Sequence, residues 1–302
     1  RLNGYESEKM AVLAREAGLR AAVIINSCAV TNEAVRQTRQ KIRQLKKANP
    51  ARDIIVTGCA SQIDPGQFKQ MPEVTSVIGN AEKMSPDVWR VLQNRTDTNL
   101  VGDIMTAETR PLDLPLHTPQ GRTRAYVQIQ NGCDHRCTFC IIPFGRGNSR
   151  SVPVEQVTEE IRSLVDGGCK EVVLTGVDIT SYGPDLPEQT ILGELVSHIL
   201  STIPELPRLR LSSIDGAEID DLLFDMIVGE ERLAPYLHLS LQSGDDMILK
   251  RMKRRHSRAQ AIDFCRRIKE RRPDVAFGAD IIAGFPTETE EMFHNSVSLV
   301  SD

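Results

Sequence analysis

The sequence predicts an α/β protein built on parallel sheets, in two domains. Three observations carry this. In the first third of the chain, short apolar runs are followed by helical patterns. After that, five strand-then-helix units follow one another in steady alternation. Between the two parts lies a Pro-rich, aperiodic stretch, and 302 residues suit about two domains.

The first part contains strands at Ala21–Ile25 and Asp53–Thr57 and a weaker one at Val74–Ile78. The helix between the first two runs from about Glu33 to Ala48 and stops near Pro50. Val35, Ile42 and Leu45 share one face of it, and Arg36, Arg39, Arg43 and Lys46 a neighbouring one. Residues 109–121 hold Pro111, Pro115 and Pro119 and read as the linker, which leaves domains at 1–108 and 122–302. Strands are then expected at Tyr126–Gln130, Glu171–Thr175, Arg208–Ser212, Tyr236–Gln242 and Val275–Ile282. Helices alternate with them. The first is marked by Val154, Val157, Ile161, Leu164 and Val165 and stopped by Gly167 and Gly168. The others span Ile191–Ile203, Asp220–Val228, and a stretch from the Ser257/Gln260 capping box to about Arg271. Five such units imply a β/α barrel or a doubly wound sheet.

Hydrophobic residues at 40% and charged residues at 26% are ordinary for a globular protein. They exclude wholesale disorder, a collagen-like chain and a disulfide miniprotein. Apolar runs such as Ala21–Ile25 fall far short of the roughly 20 residues that span a bilayer, so no membrane is expected as a partner. The net charge is −4, so any nucleic-acid contact must come from local patches. Two stretches qualify. Arg36 to Lys47 holds six Lys/Arg and no acid, and Lys250 to Arg272 holds eleven against Asp263 and Glu270. Each is either a solvated helix face or a phosphate-binding patch whose affinity falls with salt.

Seven cysteines, an odd number with three clustered and no export signal, favour metal binding over disulfides. Cys133, Cys137 and Cys140 are spaced C-x3-C-x2-C on the loop after a strand. Three thiolates in eight residues form a soft-ligand site that suits a [4Fe–4S] cluster with one open iron. A closed structural zinc site wants four ligands, and His135 within the loop is the alternative that would complete one. Cys28 and Cys59 each follow a strand of the first part, at the carboxyl ends where open α/β sheets place ligands. Two thiolates are too few for a cluster, and the plainer reading is a pair of buried small hydrophobes. Cys169 and Cys265 read as structural. There is no Ser/His/Asp arrangement, no Walker loop and no Rossmann glycine fingerprint in the sequence.

C-x3-C-x2-C after the first strand of a β/α repeat, with Phe139 between its second and third cysteines, resembles the radical S-adenosylmethionine (SAM) superfamily. In that superfamily the open iron chelates SAM, and reductive cleavage yields a 5′-deoxyadenosyl radical. Within it, the chain resembles the methylthiotransferases from end to end. The opening RLNGYESE, Cys28 and Cys59, VLTGVDITSYG, RLSSID, LHLSLQSGDDMILKRMKR and DIIAGFPTETEEMF carry the resemblance. NSCAVTNEAVRQTRQKIR and the short RGNSRS after the triad are most similar to the branch acting on N6-threonylcarbamoyladenosine of tRNA.

The resemblance implies a flavodoxin- or Rossmann-like methylthiotransferase domain at 1–108 and a radical SAM partial barrel at 122–302. It implies two [4Fe–4S] clusters, one on Cys133, Cys137 and Cys140 and an auxiliary one on Cys28, Cys59 and a cysteine that directly precedes RLNGYESE in the family. The first residue is Arg1 rather than Met, and Leu299 to Asp302 continue an amphipathic pattern without a stop signal, so the chain reads as a fragment at both ends. A sixth barrel strand and a C-terminal RNA-binding module are the family parts expected beyond it. SAM is expected across the strand ends at Thr175, Gly176, Ser212, Ser213, Gln242 and Gly284, where glycines admit close approach and hydroxyl or amide groups hydrogen-bond. Turn chemistry is the alternative role for each. Arg146 and Arg150 flank the triad loop with no acid near in sequence, and are expected to face substrate phosphates, the SAM carboxylate or solvent.

The implied reaction installs a methylthio group at C2 of N6-threonylcarbamoyladenosine beside the anticodon. The implied partners are the tRNA anticodon stem-loop and an electron donor such as flavodoxin or ferredoxin, in the cytoplasm and without DNA. Three alternatives stay open: the same chemistry on isopentenyladenosine, the same on a ribosomal-protein aspartate, and an iron–sulfur or zinc RNA-binding protein without catalysis.

Overall fold

The computed structural model describes residues 2–19, 21–94, 98–107 and 123–302, and the expected linker at 109–121 lies outside the described residues. The chain forms two compact units. One consists of Arg1–Leu114, Asn131–His135 and Cys140–Arg150, the other of Pro115–Gln130, Arg136–Phe139 and Ser151–Asp302.

The first unit runs α1 (Leu2–Glu16), β1 (Val23–Ser27), α2 (Asn32–Ala48), β2 (Ile54–Gly58), α3 (Cys59–Ile63), α4 (Pro65–Lys69), β3 (Ser76–Ile78), α5 (Pro86–Asn94) and β4 (Thr98–Leu100). Its four strands pair in parallel in the order β1-β2-β3-β4. The period of two along a strand splits the apolar runs between two faces. Ile55 and Ile78 pack with Met10, Leu13, Trp89 and Leu92 of α1 and α5. Ile54, Val56 and Val77 pack with Ile42 of α2, Ala60 and Phe68. Both faces are therefore covered, which is why these strands read as continuous apolar runs.

Thr31 caps α2 by accepting from Ala34 N, and Ile42 is its one fully buried side chain, as the apolar stripe predicts. Helices α1, α3, α4 and α5 and strand β4 were not expected from the sequence. Helix α1 buries Glu6 and Lys9 beside Leu2, Tyr5, Met10, Leu13 and Ala14, so two charges interrupt its apolar inner face. Strand β4 is three residues long and mostly polar.

The chain continues through β5 (Ala125–Gln128), β6 (Gln130–Asn131), α6 (Ile142–Arg146), β7 (Arg150–Ser151), α7 (Val154–Asp166) and β8 (Glu171–Thr175). Next come α8 (Leu192–Thr202), β9 (Arg208–Leu211), β10 (Ser213–Ile214), α9 (Asp221–Gly229), β11 (Tyr236–Gln242), α10 (Asp246–Arg251), α11 (Arg258–Arg271), β12 (Ala276–Ile281) and α12 (Glu290–Ser298). In the second unit β5-β8-β9 and β10-β11-β12 are parallel sets, and Ser212 alone separates β9 from β10. Strand order thus follows chain order with no reversal, which is the arrangement of a partial β/α barrel rather than of a doubly wound sheet. Val157, Ile161 and Leu164 of α7 and Leu195, Val196 and Ile199 of α8 are fully buried.

The amphipathic pattern expected to run on through Leu299 to Asp302 ends earlier. Helix α12 stops at Ser298, where Leu299 N closes onto Asn295 O. Among the described residues no helix is long and apolar enough to cross a membrane. Trp89 is fully buried and donates its indole N–H to Lys83 O at 2.8 Å. Trp89→Ala is expected to destabilise the chain by roughly 3–5 kcal/mol, seen as an earlier midpoint in denaturant followed by circular dichroism.

Candidate functional site

The register of the first sheet sets two cysteines side by side. Ser27 ends β1 opposite Gly58, which ends β2, and Cys28 and Cys59 are the next residues of each strand. Gly58 has φ +101°, and a Cβ there would lie 2.2 Å from Ser27 O and 2.4 Å from Ser27 N. A residue without a side chain is what lets the two strand ends close up. Asn80, just beyond β3, brings its Nδ2 to 3.6 Å from Cys59 Sγ and donates from the same atom to Gly145 O at 2.5 Å.

A buried ionic cluster surrounds this edge. Glu6 of α1 accepts from Arg146 Nη1 at 2.7 Å and Nη2 at 3.2 Å, from Lys83 Nζ at 2.7 Å and from Asn26 Nδ2 at 3.2 Å. Lys83 also donates to Asn80 Oδ1 at 2.6 Å, and Arg146 to Asn3 and Asn131. Burial opposes the charge on Glu6, but Arg146 and Lys83 outweigh it and hold the carboxyl well below its usual range. Burial pushes the Lys83 ammonium below its ordinary value, and Glu6 offsets this only in part. For Arg146 burial is outweighed by Glu6 and then by the Cys59 sulfur, so it lies above its ordinary value.

This corrects one expectation. Arg146 is 5% exposed and pairs with Glu6, an acid 140 residues away in sequence, rather than facing substrate phosphates, SAM or solvent. Arg150 donates to Asn148 O and Arg146 O.

Cys133, Cys137 and Cys140 lie on the loop between β6 and α6, Cys133 buried and the other two half-buried. Cys133 N donates to Gly147 O at 3.0 Å, and Ser149 N to Asp134 Oδ1 at 3.0 Å. A ring nitrogen of His135 lies within 4.8 Å of Cys133 Sγ. Thr138, next to Cys137, donates from its N to Met252 O and from its Oγ1 to Arg251 O.

The other singled-out residues lie at or just beyond strand ends of the second unit, except Ser213, which follows the end of β9 and starts β10. Thr175 ends β8 fully buried, and its Oγ1 has no partner among the described residues. Gly176 follows, where a Cβ would press on Gln130 O at 2.8 Å while Gln130 Oε1 accepts from Val177 N and Asp178 N. Close packing on Gln130 is thus a structural reason for that glycine. Ser212 is buried and its N donates to Leu174 O, and Ser213 opens β10. Gln242 ends β11 at φ +70° beside a register shift, and Gly284 at φ +75° donates its N to Glu288 Oε2. A left-handed glutamine is uncommon and tends to mark functional strand ends.

Cys169 is buried with its thiol directed at Glu171 O, and burial pushes the Cys265 thiol up to about 11.

The basic stretch 250–272 is largely absorbed by the fold. Arg254 pairs with Asp215, Arg255 with Glu218, Arg266 with Asp263 and Arg271 with Asp225. Arg251, Arg258, Arg272 and Lys269 donate to backbone carbonyls. On α2, by contrast, Arg39, Lys41, Arg43 and Lys47 make no ion pair with the described residues, and the last three are exposed.

The sequence assigns no role to Asn80 or Lys83, and Glu6, Asp215 and Arg254 stand in it only as parts of longer motifs. Each acts through a partner far along the chain, and no local motif signals such a contact.

The two units thus define a class: an open parallel sheet with cysteines at its carboxyl edge, and a partial β/α barrel whose first strand leads into a three-cysteine loop. The Radical SAM superfamily model matches residues 127–300, and the model described as Uncharacterized protein family UPF0004 matches residues 1–79. Threonylcarbamoyladenosine tRNA methylthiotransferase MtaB of Rickettsia prowazekii (strain Madrid E) is 51% identical over 300 residues, covering 99% of this chain and 70% of its own length. The protein of the same name from Bacillus subtilis (strain 168) is 36% identical over 313 residues, covering 100% of this chain and 69% of its own length. The tRNA-2-methylthio-N(6)-dimethylallyladenosine synthase of Ehrlichia canis (strain Jake) is 32% identical over 284 residues, covering 92% and 64%. In fold, the radical S-adenosylmethionine methyltransferase TsrM from Kitasatospora setae matches with a TM-score of 0.67 at 13% identity, over 97% of this chain and 62% of that one. The chain belongs to the radical SAM superfamily and, within it, to the threonylcarbamoyladenosine tRNA methylthiotransferase family.

Glu6→Gln would leave two buried cations without their carboxylate. It is expected to cost roughly 3–5 kcal/mol, read from the denaturation midpoint by Trp89 fluorescence. The carboxyl titrates lower in the folded chain than its ordinary 4.5, so its stabilisation is complete above that pH and drains away as pH falls below it. An acid titration of the wild type should therefore lose stability below about pH 4.5, and E6Q should lose less over the same window. Gly58→Ala is expected to destabilise by more than the roughly 1–2 kcal/mol of a left-handed alanine, because its Cβ also collides with Ser27.

Proposed function

We propose that this chain installs the methylthio group at C2 of N6-threonylcarbamoyladenosine in the anticodon stem-loop of tRNA. The observation that carries the reading is identity. The chain is 51% identical to a relative named for that nucleoside, against 32–33% for relatives named for the dimethylallyladenosine reaction. In this reading the methylthiotransferase domain spans 1–108, the linker 109–121 and the radical SAM core 122–302.

Cys133, Cys137 and Cys140 would hold a [4Fe–4S] cluster, and Thr175, Gly176, Ser212, Ser213, Gln242 and Gly284 would bind SAM. The donor chemistry fits. Three thiols on one loop are soft ligands, and the buried Thr175 hydroxyl has no partner among the described residues to satisfy it. Bound there, the cluster and SAM supply one-electron chemistry that activates the adenine C2–H bond and a methyl group for the sulfur. Cys28 and Cys59 belong to a second [4Fe–4S] cluster, which carries the sulfur to be transferred. Gly58 and the β1–β2 register support this by setting the two strand ends that lead into these cysteines side by side, and Asn80 and Arg146 lie beside Cys59.

The target adenosine must leave its stack to react, as bases in single-stranded loops do. The unpaired cations of α2 suit the phosphates beside it. A flavodoxin or ferredoxin supplies the electron, in the cytoplasm, where tRNA is found.

Nucleosides of tRNA from cells with and without the intact gene test the reading by mass spectrometry. The expected outcome is loss of 2-methylthio-N6-threonylcarbamoyladenosine with its unmethylthiolated precursor accumulating, and no rescue by Cys137→Ser or Cys59→Ser. Persistence of that nucleoside together with loss of the isopentenyl counterpart would assign the sibling tRNA reaction instead. Arg39→Glu/Arg43→Glu is expected to weaken tRNA binding in low salt and to flatten its salt dependence by about one to two counterions.

A further inference from the structure

We infer that Arg254 is a positioning residue for the cluster ligand Cys137, holding it by an N–H···S bond that tunes the cluster's reduction potential. The inference rests on the proposal that Cys133, Cys137 and Cys140 carry a [4Fe–4S] cluster. Arg254 is in the basic stretch that reads, in sequence, as a solvated or phosphate-binding face. In the fold its side chain is 8% exposed.

Local structure delivers the guanidinium to the loop. Asp245 caps α10 by accepting from Met247 N and Ile248 N, both at 3.0 Å. The helix then ends with Lys253 at φ +59° and Arg254 N closing back onto Leu249 O at 2.9 Å. This left-handed close turns residue 254 back on the helix. The carbonyls freed there, Arg251 O and Met252 O, accept from Oγ1 and N of Thr138 at 2.9 and 3.2 Å. The residue after Cys137 is therefore tied to the same turn that carries Arg254.

One nitrogen of the guanidinium is committed to the protein. Nη2 donates to Asp215 Oδ2 at 2.5 Å and to Ser240 O at 2.7 Å. Asp215, 6% exposed, also accepts from Ala217 N, and its Oδ1 lies 3.8 Å from His256 Nδ1. Another nitrogen faces sulfur: Nη1 is 3.8 Å from Cys137 Sγ. Nε is buried with no partner among the described residues, so this guanidinium has donor capacity that the protein leaves unused. A planar fork fixed by a buried carboxylate and a carbonyl cannot swing away from the thiolate. Hydrogen bonds to ligating sulfur stabilise the reduced cluster and raise its potential.

The test uses the full chain, reconstituted anaerobically with iron and sulfide and titrated with dithionite while the EPR signal perturbed by S-adenosylmethionine is followed. Arg254→Lys keeps the charge but loses the fork. It is expected to shift the midpoint of that signal to a more negative potential and to bind iron less firmly against a chelator. The double variant Arg254→Met/Asp215→Asn removes both charges, leaves no buried carboxylate unpaired, and should show the same shift. If both variants fold by circular dichroism and keep the wild-type midpoint, the inference is overturned. A Cys133→Ser/Cys137→Ser/Cys140→Ser variant separates this from failure of the parent reading. Unchanged iron and an unchanged signal in that variant would refute the cluster assignment, whereas lost signal there with unmoved Arg254 variants would refute the role of Arg254 alone.

Discussion

A single buried carboxylate organises the first unit. Glu6 takes hydrogen bonds from Arg146, Lys83 and Asn26, and these come from α6, the turn after β3, and the end of β1. With side chains at most 6% exposed, none of the three charges can be satisfied by water. The geometry must therefore be kept whole, since a buried charge left unpaired is far more costly than the pair is stabilising. Asn80 extends the same network to Cys59, and Gly145 O completes it. The segment leaving the cysteine loop and the edge bearing Cys59 are thus held by one set of charges.

The second unit repeats the principle with different residues. Asp215 holds Arg254, and Arg254 in turn reaches Cys137. In both units a cysteine lies beside a guanidinium, and each guanidinium is anchored on a buried acid. Arginine suits this role because its rigid fork can hold an acid with some N–H groups and leave others for sulfur. For a radical enzyme such placement matters, because ligand position and the field around the sulfurs both bear on when an electron arrives.

The charge pattern meant something other than it suggests in one dimension. Eleven Lys/Arg between Lys250 and Arg272 resemble a polyanion-binding face. In the fold most of them donate to backbone carbonyls, pair with acids, or stack, as Arg267 does over the Phe224 ring at 4.6 Å. The smaller run on α2 keeps its outward cations unpaired, because that helix faces solvent along its polar side and touches the core mainly through Ile42.

Much of this protein was legible residue by residue. The parallel β/α alternation, thirteen of the helices and strands, and the placing of Cys28, Cys59 and the triad after strands follow from periodicity and spacing, which are local properties of a chain. Helix α1 was not legible, because its inward face carries Glu6 and Lys9 and so lacks an unbroken apolar stripe; β4 was too short and polar to show. Nor were the partners of Arg146 and Arg254, which lie 140 and 39 residues away. A sequence records which side chains can ionise or donate. Only the folded chain decides which of them meet out of water, and it is there that a charge must find its one partner.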